Sequence, residues 1–384
     1  MRYAFRLAEL LGHSPDRRKR PGTIKAIVEH TGLDRHQVAA LLKNEAKYIP
    51  LEALSKLCDY LIDNGHARAS ELPGALFAVK PENFWETLAR RRNIEIVVGV
   101  RQAEADPASA WVVASDSVLI GELLSGISTL GGNAKMQPAP TPDGEADADD
   151  DDKAQLGHPE RLQQTLVWSP GHVSPADTQQ RAKAVHETFV ETQGDRALIS
   201  IGSVKSNPVA EMIFADAFGC TPFASEDDLD DSSSRACPFF LRYRENDPKP
   251  DAASAGVQLS KNEKVDKPGI YYEKDDGQWV WAGGDKSKDA ALVFYVYREP
   301  LGRLELVLSG FSGRATRLLA KTLASRSEEF WPPVYEEPGL QIGAYIVQYG
   351  VDEEDSDLLQ TNFSAAPKVI KLSSEAIRRR MQRL

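Results

Sequence analysis

Two short polar runs carry the residues best suited to hold a small anion. The first, Gly202-Ser203-Val204-Lys205-Ser206-Asn207, follows the apolar stretch Ala197 to Ile201 and precedes Pro208 and an apolar run of helical character. The second, Ser309-Gly310-Phe311-Ser312-Gly313-Arg314-Ala315-Thr316, follows Leu304 to Leu308 in the same way. A strand-to-helix turn leaves backbone N–H groups unpaired at the helix start, where they favour negative charge. Gly202, Ser203, Lys205, Ser206 and Asn207 add hydroxyls, a cation and an amide to the first turn. Ser309, Gly310, Ser312, Gly313, Arg314 and Thr316 add hydroxyls and a guanidinium to the second. Together they would grip a phosphate or another acidic group, provided both turns open on one cleft. Neither run has Walker A spacing or the spaced glycines of a dinucleotide fingerprint. Tight turns and helix caps draw on the same residue types, so a purely structural role is the competing reading.

Catalytic chemistry is thinly represented. Glu211, one turn into the helix after the first run, is the candidate catalytic carboxylate, against the simpler expectation of a solvent-facing helix residue. His172 and His186 lack a convincing Ser or Cys partner, and no metal-ligand cluster stands out. Cys58, Cys220 and Cys237 are odd in number, far apart and without CxxC spacing, which argues against a disulfide framework and a structural zinc site. Trp279 and Trp281 alternate in a strand and share a face, more in keeping with packing than with base stacking. The sequence names no cofactor.

The elements that would position these turns alternate. Apolar strand patterns at Ile94 to Val100, Ala110 to Ser115, Thr165 to Ser169, Ala197 to Ile201, Ala290 to Tyr297, Leu304 to Leu308 and Gly343 to Tyr349 alternate with helical patterns from Asp116 to Thr129, Pro175 to Thr192, Pro208 to Phe218 and Arg314 to Ser325. This predicts an α/β body, Rossmann-like, with a mainly parallel sheet and ligands at the carboxyl ends of its strands. Tyr271-Tyr272 and Trp279 to Trp281, separated by Asp275-Asp276-Gly277, predict a hairpin.

Ahead of the body lies a different pattern. In Thr23 to Asn44 the apolar residues Ile24, Ile27 and Val28, then Leu33, Val38 and Leu41, recur at helical spacing on either side of Thr31-Gly32. Two short helices should pack across this bend, with Gly32 supplying positive φ and Asp34 the cap of the second. Flanking helices are expected at Arg2 to Gly12 and Pro50 to Asn64.

These residues resemble the Cro/C1-type (XRE) helix-turn-helix domain over about the first 65 positions, with Val28, Gly32, Leu33 and Asp34 in the family's turn positions. Two positions depart from it: Ile24 stands where a phosphate-contacting Gln is common, and Leu42 where a Glu is often found. The resemblance implies double-stranded DNA as partner. It places Arg35, His36, Gln37, Ala40 and Lys43 towards bases and Thr23, Lys25, Asn44 and Lys47 near phosphates. The competing reading is a helical unit for protein contacts. The turn at Gly202 is similar to the Gly-Ser-x-Arg loop of flavodoxin-like reductases over only a few residues, and no flavin is carried over from it.

At 384 residues the chain has room for two or three domains. Its formal charge of −11 counts against nucleic acid as a whole, but residues 1–65 hold eleven Lys/Arg against eight Asp/Glu. Arg17-Arg18-Lys19-Arg20 could add salt-sensitive phosphate contacts. No apolar run is long enough to span a bilayer and Met1-Arg2-Tyr3 opens no signal-peptide pattern, so a cytoplasmic, bacterial protein is expected. The expected organisation is a DNA-binding head at 1–65, a helical connector at 66–92, an α/β ligand-binding domain at 93–363 and a basic tail at 364–384. Acidic, disordered insertions are expected near 131–160 and 225–236. Function follows as a DNA-binding transcriptional regulator, of the repressor kind, sensing a small anionic or nucleotide-like ligand and acting as a homodimer or higher homo-oligomer. A nucleotide- or NAD-processing enzyme and a non-enzymatic interaction scaffold are the alternatives, the enzyme being the less favoured.

Overall fold

The computed structural model describes residues 2–11, 23–43, 45–73, 76–102, 109–131, 159–192, 194–229, 232–260, 265–337, 339–351 and 365–381. The Arg17 to Arg20 cluster, Asn44, most of the 131–160 insertion and the last three residues of the tail lie outside them. The chain divides into two compact units. One comprises residues 1–82 with two short stretches, 298–303 and 337–340; the other comprises the remainder.

The first unit begins with a strand where a helix was expected. β1 (Arg2–Phe5) pairs antiparallel with β2 (Phe77–Lys80) in register Arg2 to Lys80 and Phe5 to Phe77. The Phe5 and Phe77 rings meet edge to face at 5.4 Å, a long-range contact that local periodicity could not show. Only Leu7–Leu10 remains helical there (α1). Between the two strands lie α2 (Thr23–Thr31), α3 (Arg35–Leu42) and α4 (Leu51–Asp63). Ile27, Leu33, Val38 and Leu41 meet Leu57 and Leu61 of α4 and Leu7 of α1 in one buried cluster, with Ile24, Val28 and Leu42 packed at its margin. Within this unit the expected helical connector at 66–92 contributes a 3-10 turn, Ala69–Glu71, before β2.

The second unit is built on a large sheet. Its elements run α5 (Phe84–Ala89), β3 (Asn93–Gln102), β4 (Ala110–Val112), α6 (Ala114–Thr129), β5 (Arg161–Trp168), α7 (Pro175–Glu191), β6 (Arg196–Ile201) and α8 (Val209–Phe218). They continue with β7 (Phe239–Arg242), β8 (Ala255–Gly256), β9 (Gly269–Glu273), β10 (Trp279–Gly283), β11 (Lys288–Arg298), β12 (Arg303–Gly310), α9 (Gly313–Arg326), β13 (Tyr335–Glu337), β14 (Leu340–Gly350), β15 (Lys368–Lys371) and α10 (Ser374–Met381). The main sheet has the order β13-β14-β11-β12-β6-β3-β4, with β15 beside β14 and β5 beside β3.

This sheet is mixed, and the expectation of a mainly parallel one is corrected. β5 and β6 run parallel to β3, but β4 and β15 run antiparallel to their neighbours. β11 and β12 are adjacent and joined by four residues, too few for a parallel crossover. β15, absent from the strand patterns of the sequence, follows β14 and pairs with it. α6 begins at Ala114, two residues before the helical pattern expected from Asp116, and Asp116 sits buried in its first turn.

Alternate residues of each strand feed opposite layers. Ile96 and Val98 of β3, Ile199 of β6, Val293 of β11 and Leu306 of β12 meet Leu119 and Leu123 of α6, Leu318 and Leu319 of α9 and Phe84 of α5. On the other face α8 packs Phe214 against Phe294 of β11 at 5.3 Å and Phe239 of β7 at 4.8 Å. β6 is buried along its whole length, in keeping with a mostly apolar run interrupted by Arg196 and Ser200 alone. That Arg196 spends its guanidinium on the carbonyls of Phe189, Val190 and Gly194, closing the α7–β6 connection.

A smaller sheet, β10-β9-β7-β8, carries the expected hairpin, with β9 and β10 antiparallel across Asp275-Asp276-Gly277. The basic tail is docked rather than frayed. Arg380 of α10 is buried, its Nε 2.7 Å from Glu273 Oε2, and Arg379 meets the other oxygen at 2.7 Å. Trp279 lies under the Arg380 guanidinium and Trp281 Nε1 donates to Pro268 O, so both indoles are used in packing.

Candidate nucleic-acid interface and ligand turns

In the first unit the geometry of the bend is set by three residues. Thr31 Oγ1 donates to Ile27 O at 2.7 Å and accepts from Leu33 N at 3.2 Å, tying the end of α2 to the start of the turn. Gly32 has φ +72°, the left-handed region that costs other residues strain. Asp34 caps α3, its carboxylate accepting from His36 N at 2.7 Å and Gln37 N at 2.9 Å. Gln37 Oε1 reaches back to Asp34 N at 3.2 Å, completing a capping box. The second helix is thus pinned at the end carrying the expected base contacts.

Arg35 and His36 are exposed at that end, as is Lys43 at the other; Gln37 and Ala40 are half-buried. Gln37 differs from its neighbours in having its amide oxygen engaged in the cap. Lys25 and Lys47 are exposed, Lys25 beside Glu29 at 3.7 Å and Lys43 beside Glu45 at 4.0 Å. Solvent-exposed pairs of this kind are weak and leave the cations free to exchange partners. Thr23 opens α2, where its N–H belongs to the unpaired first turn.

In the second unit the two polar turns come together. β6 and β12 are neighbours and Gly202 N donates to Leu308 O at 2.8 Å. Lys205 Nζ lies 4.3 Å from the ring centre of Phe311, a residue of the second turn, and the Arg244 guanidinium lies over the same ring at 4.6 Å. The first turn crosses β3 at close range: a Cβ on Gly99 would fall 1.9 Å from Ser206 O. Gly99 is therefore the residue that admits the turn. Ser169 Oγ donates to the same Ser206 O at 2.7 Å.

Several proposed ligand groups are already engaged. Asn207 is fully buried, its amide donating to Val97 O and Ile201 O while its Oδ1 accepts from Val209 N. Ser206 Oγ donates to Ser203 O, and Ser312 Oγ both caps α9 through Ala315 N and donates to Asp289 Oδ2. Thr316 Oγ1 donates to Ser312 O. Ser203, Ser309 and Gly310 are buried, while Gly313 is exposed and Arg314 half-buried beside it.

Lys205 of the first turn is joined to charged groups of a connecting segment. Lys205 Nζ sits 3.0 Å from Asp247 Oδ2, which also accepts from Arg244 N at 3.0 Å. Burial lowers the Lys205 ammonium from its ordinary range against the pull of Asp247. Burial works to raise the Asp247 carboxyl, but Lys205 and the Arg244 N–H outweigh it and hold it low. Asp289 is shifted up by burial, with Ser312 acting in the other direction. Sequence reasoning missed Arg244 and Asp247, which lie in a connecting segment without a motif, and Asp289, near the start of β11. A separate concavity, lined by residues including Tyr272, Asp275, Asp276 and Lys371, lies at the β9–β10 hairpin and includes neither turn.

Glu211 is neither solvent-facing nor in the cleft. It is fully buried, accepting from Ala253 N at 2.6 Å, Ser254 Oγ at 2.8 Å and Phe223 N at 3.4 Å. Burial raises its carboxyl to about 7 in spite of those donors. Its hydrogen bonds hold the segment before β8 and the turn after α8, so it has the contacts of an internal clamp. His172 is half-buried; burial, then Arg101, lowers its imidazole.

Residues 17–62 match the family model of the Cro/C1-type HTH DNA-binding domain. That span contains α2, α3, the whole capped bend and all but the last residue of α4. No curated protein and no solved structure gives a significant match to the chain. No helix among the described residues is long and apolar enough to cross a membrane.

Proposed function

We propose that the protein is a DNA-binding transcriptional regulator, a repressor in its simplest form, whose second unit receives a small anionic or nucleotide-like ligand. The observation that carries the reading is the capped helix α3 inside the family-matched domain, with Arg35 and His36 exposed at its amino-terminal end. In helix-turn-helix proteins that end meets base edges in the major groove. One small head makes few contacts, so two copies reading half-sites about one helical turn apart are expected.

The ligand reading is supported by Lys205 and Arg244 converging on Phe311 where the two turns meet. An incoming anion would compete with Asp247 for Lys205. A ligand alters DNA affinity only by binding two arrangements unequally, and the loop held by Asp247 is a contact such a ligand could exchange.

The test is retention of the DNA immediately upstream of the coding sequence at low salt, measured by fluorescence anisotropy. Arg35→Ala is expected to weaken binding by about 1–3 kcal/mol if Arg35 reads a base. Binding of the full chain should fall steeply with salt. Absence of binding, or an unchanged affinity in the Arg35→Ala variant, would sink the regulator reading. Gln37→Ala is the poorer probe, because it also removes half of the capping box.

A further inference from the structure

His186 was set aside above for want of a partner in sequence, yet the fold gives it two. His186 lies on the sheet-facing side of α7, in line with the buried residues Thr178, Ala182, Val185 and Phe189. Its Nε2 is 2.7 Å from Oε1 of Glu305, a fully buried carboxylate in the middle of β12. Asp216 stands beside them: it is the one exposed residue of α8, every other position of which is buried. One ligating atom from each of the three lies within 4.8 Å of the others.

We propose that His186, Asp216 and Glu305 bind a divalent first-row transition metal ion, of which zinc is the representative. One imidazole and two carboxylates are a mixed nitrogen and oxygen donor set suited to that class. Donors at about 2.0–2.2 Å from a common ion lie roughly 3–3.5 Å apart. The His186 to Glu305 pair, at 2.7 Å, must open by roughly 0.5 Å, and Asp216, within 4.8 Å of both, must close by up to roughly 1.5 Å. Rotation of an exposed aspartate side chain covers the second movement without disturbing α8. The buried pair supplies two donors held side by side, whose hydrogen bond gives way to the ion with release of any Nε2 proton, and the exposed acid supplies the third and the route of entry.

Such an ion would join α7 and α8 to the central strand β12, three elements that the sequence separates by up to 119 positions. With three protein donors a fourth coordination position is left for water or another oxygen ligand. The site involves none of the residues of the two polar turns.

The experiment uses the full chain, stripped with a chelator and dialysed. Zinc is titrated by calorimetry, and cobalt is followed by its visible absorption as a report of donor geometry. The expected result is one high-affinity equivalent per chain, a rise in the thermal midpoint on adding zinc, and at least tenfold weaker binding in Asp216→Asn. That variant changes an exposed side chain and keeps the buried pair, so its fold is retained and circular dichroism verifies it. His186→Gln is the second variant, expected to lose the cobalt spectrum. No saturable uptake by the wild type, or equal uptake by wild type and Asp216→Asn, overturns the proposal. The second outcome would place the ion elsewhere on the chain.

Discussion

Replacing Glu211 by Gln tests how a buried carboxylate sets the pH dependence of the second unit. The folded protein raises this carboxyl from 4.5 to about 7, burial being the dominant cause. In the unfolded chain the group titrates near its ordinary value, so between the two values the folded state holds a proton that the unfolded state has released. Stability from this group is therefore fully present below pH 4.5 and is lost as pH rises through 7. A gap of about 2.5 pH units at 1.36 kcal/mol each gives about 3 kcal/mol lost between pH 4.5 and 7.5. Glutamine is neutral at every pH and keeps an oxygen to accept from Ala253 N and Phe223 N, while Ser254 Oγ can turn from donor to acceptor. All six tryptophans fall in the second unit, so fluorescence-monitored urea unfolding reports on it selectively. The quantity to follow is the difference in unfolding free energy between variant and wild type at pH 5, 6, 7 and 8. Other titrating groups, Asp289 and Asp116 among them, cancel in that difference. The variant should gain on the wild type by a few kcal/mol towards pH 8. A difference that stays flat, or that shrinks as pH rises, would refute the assignment of the shift to burial.

Two further outcomes follow from contacts elsewhere. Asp34→Ala removes the acceptor of two N–H groups at the start of α3 and should cost about 1 kcal/mol in the first unit. Hydrogen exchange of peptides from α2 and α3 should then speed by roughly fivefold, with the tryptophan-detected transition unmoved. Arg380→Ala leaves Glu273 buried with only Arg379 opposite it, and is expected to cost about 3 kcal/mol in the same urea assay. Arg378→Ala, at an exposed pair with Glu375 on the same helix, should stay within about 0.5 kcal/mol of wild type.

What could be read in the sequence was local. The bend at Thr31-Gly32, the Asp34 cap and the apolar seam from Ile24 to Leu41 are interactions between residues a few positions apart. The strand-helix alternation from Ile94 to Ser325 is legible for the same reason, since each element carries its own period. Strand direction is not local. The peptide of β11 looks the same whether its neighbour is parallel or antiparallel, so the mixed character of the sheet left no trace in the pattern. The strand at Arg2–Phe5 escaped for a related reason: its partner, Phe77–Lys80, lies beyond the entire helical bundle.

The candidate turns show the same division at the level of single side chains. Gly, Ser and Asn after a strand announce a turn but not the use of each polar atom. Asn207 could have been a ligand group, yet its amide donates to a carbonyl 110 residues earlier and to Ile201 O. Lys205 finds its counter-charge in Asp247, which arrives opposite it from a connecting loop. Glu211 was invisible as a clamp because its donors, Ala253 and Ser254, lie more than forty positions on. A polar residue with local partners can be assigned from the chain order, whereas one with distant partners acquires its role only when the sheet closes. The same rule separates the two halves of the proposed function. The proposed DNA-binding surface rests on a cap and a bend made within twelve residues, inside the span that matches a family pattern. The ligand turns depend on Gly99, Asp247 and Phe311 meeting from three parts of the chain, so their chemistry has to be established by binding rather than by motif.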